Sequence, residues 1–207
     1  MRDLCNNLIF IIENYELYSK DNISLDEIKP NFDKVCNKLN RYLKDYEVEY
    51  NTIGGKPNKP FIPLFAVRNP KFSKHMTQGI YVALLIKRNE GIYISLNQGT
   101  ENREKSDIRN EKNKYRRISN DIIATYGIEY KNNLADDIDL TSNIHGNLKR
   151  PKSYEEGNIK AIFYDINMLK IYHEKFLRDI IWFMELYRKV LVSGSNALGN
   201  IEHKEMS

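Results

Sequence analysis

The sequence predicts an α+β fold, a mainly antiparallel sheet flanked by helices, and three observations carry that expectation. Both ends of the chain place apolar residues at helical spacing, and the middle carries short β-branched and aromatic runs divided by turn formers. No segment repeats at the period of a solenoid, so the elements belong to one compact layered domain.

Taken in order, Leu4, Leu8, Ile11, Ile12 and Tyr15 form one apolar helical face, and Ile28, Phe32, Val35, Leu39, Tyr42 and Leu43 form a second over 26–46. These two helices make an N-terminal helical segment, 1–47, packed on the core. Asn22-Ile-Ser24 followed by Asp26 and Glu27 is a helix start, because short polar side chains cap free amides and early acids suit the helix dipole. The stretch 51–60 gathers Gly54, Gly55, Pro57 and Pro60 and reads as a loop. Three strands follow at Phe61–Val67, Ile80–Ile86 and Ile92–Leu96. The last two form a hairpin across Lys87-Arg-Asn-Glu-Gly91. From Ile108 a helix with Tyr115, Ile118, Ile122, Ile123 and Tyr126 on one side stops at Gly127. Residues 128–153 read as polar turns around Ile138-Asp-Leu140, ending in a basic loop at Asn147-Leu-Lys-Arg-Pro151. A strand at Gly157–Tyr164 and a long apolar helix with Phe176, Ile180, Phe183, Met184, Tyr187 and Leu191 close the domain. Small polar residues from 193 to 207 predict a linker or free tail.

Composition narrows the function. Hydrophobic residues are 41% and charged residues 29%, as in an ordinary folded protein. No stretch approaches the roughly 18 apolar residues of a membrane span, and no secretory pattern opens the chain, so the expected location is the cytoplasm, away from membranes. Cys5 and Cys36 fit packed reduced thiols, and His75, His145, His173 and His203 lack metal-ligand spacing. No metal or cofactor is expected. The net charge of +4 and pI near 8.8 permit a nucleic-acid partner. The cations fall in three groups: Lys112, Lys114, Arg116 and Arg117; Lys149, Arg150 and Lys152; and Lys56, Lys59, Arg68, Lys71 and Lys74. Each group also fits a merely solvated surface.

Catalytic constellations are weak. Gly79-Ile-Tyr81 resembles the opening of one nuclease family's hairpin, but the segment Gly91-Ile-Tyr93 lacks that family's second half. Asp121 with Glu129-Tyr-Lys131 is similar to the metal-binding carboxylates and lysine of many restriction nucleases. The same Glu-x-Lys letters recur at Glu202-His-Lys204, which is the level of chance. No Gly-rich loop ends in Gly-Lys-Ser or Gly-Lys-Thr, so nucleotide hydrolysis by these residues is not expected.

Phe61-Ile-Pro-Leu-Phe-Ala-Val67, Gln78-Gly-Ile-Tyr-Val-Ala-Leu-Leu85 and Gly91-Ile-Tyr-Ile-Ser-Leu-Asn-Gln-Gly-Thr100 resemble, in order and spacing, the N-terminal domain of McrB-like modification-dependent restriction proteins. The strand at Gly157–Tyr164 and the helix after it resemble that domain's close. The resemblance covers 48–192. It implies a DNA-recognition module of a McrBC-like (type IV) antiviral restriction system that binds double-stranded DNA with modified cytosine, the base flipped into a pocket, while a GTPase motor and a nuclease sit on other domains or subunits. By position, Tyr81 and Leu85 match pocket residues and share one strand face. Leu64 and Lys56 stand where the family carries aromatics. Asn97 and Gln98 are candidates for base-edge hydrogen bonds, and Lys59, Arg68, Lys71, Lys74, Arg116, Arg117, Lys149, Arg150 and Lys152 for phosphates. Two alternatives stay open: a protein-interaction module without DNA binding, and a divergent metal-dependent nuclease.

Overall fold

In a computed structural model of the protein, the described residues are 2–51, 59–71, 79–142 and 148–205, with side chains described as far as 194. Helices α1 (Arg2–Ser19) and α2 (Leu25–Tyr42) open the chain. Asp21 turns between them at φ 62, a value a short polar side chain tolerates. Ser24 then caps α2 reciprocally: its hydroxyl accepts from the Glu27 amide, and the Glu27 carboxylate accepts from the Ser24 amide at 2.7 Å. The predicted N-terminal helical pair is present.

Five strands follow: β1 (Glu47–Tyr50), β2 (Leu64–Arg68), β3 (Ile80–Lys87), β4 (Gly91–Gln98) and β5 (Asn158–Asp165). They form one sheet in the order β1-β2-β3-β4-β5, with every neighbouring pair antiparallel. The β3–β4 hairpin turns at Asn89, φ 61, whose amide donates to the Ile12 carbonyl at 3.0 Å and ties the hairpin to α1. Gly91 begins β4 because a Cβ there would collide with the backbone of Tyr164 and Asp165.

Between β4 and β5 come α3 (Lys105–Tyr126), a 3-10 turn (Ile128–Tyr130), an irregular strap over 134–142, and α4 (Lys149–Gly157). After β5 the chain runs through α5 (Ile166–Ile171) into α6 (His173–Glu205). The architecture is α+β.

The differences from the sequence reading are local. Strand β1 was hidden behind the apolar pattern of the helix before it, since Glu47-Val-Glu-Tyr50 is too short to establish an alternation. The strand expected from Phe61 starts at Leu64, because Pro63 lacks a ladder donor and Phe61-Ile62 forms a bend. The basic loop at 149–151 is the first turn of α4, where Pro151 is tolerated because early helical amides have no intrahelical acceptor. Gly157 ends that helix instead of opening β5. From 193 onward α6 continues through the stretch expected as a linker or tail.

Strand alternation sorts the sheet into two faces. Phe65, Val67, Val82, Leu84, Ile86, Ile92, Ile94 and Tyr164 point into the main core with Tyr15, Phe32, Leu39, Phe176, Ile180, Phe183 and Tyr187 of the helices. Phe32 stacks on Phe65 at 5.4 Å, and Phe176 meets Tyr164 edge-on at 5.0 Å. Each such buried side chain contributes about 1.5–3 kcal/mol through apolar burial. The opposite face carries a second cluster, and the candidate site lies there.

Candidate functional site

The register builds this face row by row. Leu64 pairs with Leu85, Leu85 with Tyr93, and Tyr93 with Phe163. One row along lie Ala66, Ala83, Ser95 and Ala161, also paired in turn. The next row holds Tyr81, Asn97 and Asn158. A floor of small side chains therefore runs between a Leu–Tyr wall and a Tyr–Asn wall.

Residues Ile62, Leu64, Ala66, Tyr81, Ala83, Leu85, Ile138, Leu140 and Ala161 form the cluster on this face, with Tyr93 and Tyr154 half-buried against it. Ile138 and Leu140 come from the strap, which joins the sheet through one isolated bridge, Ala135 to Ala161. Polar contacts hold the strap down. Asp139 accepts from the amides of Thr141 and Ser142 at 3.0 and 2.9 Å and from Lys87 at 3.1 Å. Burial opposes the charge on Asp139, but the bonds from Ser142, Lys87 and the two amides outweigh it and pull its carboxyl down to about 2. At the other end of the strap, Lys160 donates to Asp136, and Arg116 reaches the Asp136 carbonyl, the Asp137 carboxylate at 3.0 Å and the Ile159 carbonyl at 3.2 Å.

The expected pocket residues Tyr81, Leu85 and Leu64 thus meet on one face, all nearly closed to solvent at 3%, 0% and 1% exposure. Burial pushes the Tyr81 phenol well above its usual range; the Tyr154 hydroxyl adds to the rise and the Arg150 charge opposes it. Lys56 and Lys74 lie outside the described residues.

Asn97 and Gln98, expected as base-edge donors and acceptors, are buried and turned inward. Asn97 Nδ2 donates to Ser95 Oγ at 3.2 Å and to the Tyr154 carbonyl at 3.0 Å, while its Oδ1 accepts from the Gln98 amide at 2.9 Å. Gln98 Nε2 donates to the Ile108 carbonyl at 2.8 Å, fastening the start of α3. The Asn97 side chain and Gln98 Nε2 hold helices to a strand end, where β4 bulges between Leu96 and Asn97, while Gln98 Oε1 is buried without a partner among the described residues. Gly157 has the same logic, since a Cβ there would strike Asn97 Oδ1.

The cation candidates divide. Arg68 is paired with Glu47 at 2.7 Å and Glu49 at 3.2 Å, Lys59 with Asp21 at 2.7 Å, and Arg116 with the strap, so these three serve the fold. Lys71, Arg117, Lys149, Arg150 and Lys152 are exposed. Of these, the α4 group stands beside the cluster: Arg150 acts on both the Tyr81 and Tyr154 hydroxyls, and its ion pair with Glu101 is long at 3.8 Å. Tyr154 was missed in the sequence because a helix of nine residues with a basic first turn shows no long apolar period. The small-residue floor had a visible signal in the Ala and Ser placed mid-strand at 66, 83, 95 and 161.

Catalytic alternatives find no comparable arrangement. Asp121 lies exposed on α3, Glu129 and Lys131 lie exposed at the 3-10 turn, and among the described residues no group of three His, Cys, Asp or Glu could hold a metal. No helix among the described residues is long and apolar enough to cross a membrane. The fold is an α+β domain whose sheet carries, on this face, a small-floored apolar cluster beside the basic first turn of α4. The MrcB-like N-terminal domain family matches residues 11–192, and the chain belongs to that family. The match takes in α2 and half of α1, so the kinship reaches further toward the N-terminus than the resemblance read from residue 48. Family membership makes the chain a module of McrBC-like restriction systems. Comparisons with curated proteins and with solved structures give no match.

Proposed function

We propose that this domain recognises double-stranded DNA carrying modified cytosine and receives the modified base, rotated out of the duplex, on the face of Tyr81, Leu85 and Leu64. The observation that supports this is the register: Tyr81 and Leu85 bracket Ala83 on one strand, so a flat base over the floor of Ala66, Ala83, Ser95 and Ala161 would lie between an aromatic and an aliphatic wall. Ile138 and Leu140 occupy that side of the sheet, and base insertion requires the strap to yield. The strap is the lightest cover to move, because it gives up one bridge and a set of part-exposed polar contacts rather than a strand ladder.

The exposed cations Lys71, Arg117, Lys149, Arg150 and Lys152 hold phosphates in this reading. The domain supplies specificity in the cytoplasm, and a GTP-driven motor and a nuclease on other domains or subunits of the same system do the cutting. The protein-interaction reading gains no specific support from the geometry. The test compares matched duplexes with cytosine, 5-methylcytosine and 5-hydroxymethylcytosine across a salt series. Binding should weaken steeply with salt as counterions return to the phosphates, one modified duplex should bind tighter, and Tyr81→Ala should erase that preference. Equal binding of all three duplexes, unaffected by Tyr81→Ala, sinks the modified-base reading, and no binding at low salt sinks DNA recognition.

A further inference from the structure

Resting on that reading, we propose that α4 completes the base site, with Tyr154 as the specificity-determining aromatic wall against the extruded base and Arg150 as the clamp on its flanking phosphate. Leu64 leaves the Leu–Tyr side of the floor without an aromatic at its β2 position, and stacking is what a base loses when it leaves the duplex. Tyr154 supplies a ring to the cluster from above the sheet. Its neighbour Tyr93 is committed elsewhere, exchanging hydrogen bonds with the Asp139 backbone at 3.4 Å and packing on Phe163 at 4.7 Å. Tyr154, by contrast, is anchored through its backbone carbonyl to Asn97 Nδ2 at 3.0 Å, which positions the helix without engaging the ring.

Arg150 lies four residues before Tyr154, one turn earlier on the same helical face. Its side chain is 66% exposed and, among the described residues, its ion pair is the long one with Glu101 at 3.8 Å. A phosphate is a better partner, since it accepts two parallel N–H bonds in the fork geometry of arginine. The electrostatics agree in direction, because the Arg150 charge opposes the burial-driven rise of both the Tyr81 and Tyr154 phenols. One helix thus carries both a reader of the base and a sequence-blind contact to the backbone.

The two roles separate in one binding experiment on the full chain, using a duplex with 2-aminopurine beside the modified cytosine as the flipping probe. Wild type should raise the 2-aminopurine emission. Tyr154→Leu should bind the modified duplex about tenfold more weakly, lose the emission rise and keep its affinity for the unmodified duplex, while Tyr154→Phe behaves as wild type. Arg150→Ala should weaken both duplexes alike and lower the salt slope by about one. A duplex with 5-iodocytosine at the target position should photo-crosslink to Tyr154 in the unaltered protein, which tests the wall without any substitution. If wild type flips the base yet Tyr154→Leu matches it and the crosslink maps elsewhere, α4 is not the wall and the Tyr81 site stands alone. If wild type shows neither modified-duplex preference nor emission rise, the underlying reading falls and this inference with it.

Discussion

The two faces of the sheet are built on different principles. The helical face is filled with large side chains: Phe65, Tyr164, Phe176, Phe183 and Tyr187 are all fully buried, in a core to which α1, α2, α3, α5 and α6 contribute. The other face has a floor of Ala and Ser under an irregular strap that is fastened mainly by polar bonds to Lys87, Arg116 and Lys160. Large interdigitating rings make one face rigid and costly to open. Small residues under a polar-clipped strap give the other a lighter cover. In the proposed function, stability and recognition are thereby separated across a single layer of strands.

The largest expected effect lies on the helical face. Phe176→Ala should cost about 3–5 kcal/mol, read as a lower urea midpoint with an unchanged slope, because the Tyr164 edge contact and the surrounding core collapse only partly. Leu140→Ala, in the strap, should cost about 2 kcal/mol, at the low end for a leucine truncation. Amide exchange should then quicken over 134–142 and leave the helices unchanged. Equal costs and equally global exchange would show that the two faces are one core after all.

The smallest effect is electrostatic and confined to the strap. Asp139 has its carboxyl pulled from 3.8 to about 2, so its contribution is fully present above the unfolded value and is lost as pH falls through the folded one. The carboxyl carbon should titrate near 2 by NMR, the amides of Thr141 and Ser142 should shift with it between pH 4 and 2, and Lys87→Ala should move the midpoint upward. A midpoint at 3.8 would mean that the clip does not form.

Much of this fold was legible along the chain. The apolar periods of α1, α2 and α6, the hairpin turn before Gly91 and the stop of α3 at Gly127 are local signals with local causes. The pairing of Tyr81 with Leu85 was legible too, since residues four apart on a strand share a face whatever the sheet packs against. Tyr154 was not, because its ring reaches the cluster only once Gly157 and Asn97 dock α4 on β4.

What the sequence by itself determined is therefore the long helices, the β3–β4 hairpin and the Tyr81–Leu85 face, all consequences of backbone period and residue chemistry within a few positions. Only the tertiary structure decided which charges are consumed and which remain. Arg68 and Arg150 look alike in the chain, yet one is locked to Glu47 and Glu49 across a strand pair and the other projects from α4, 3.8 Å from Glu101. The same holds for Asn97 and Gln98, whose partners lie 57 and 10 residues away. Charge and hydrogen-bond partners are chosen by spatial neighbours, and those neighbours exist only after the strands have paired.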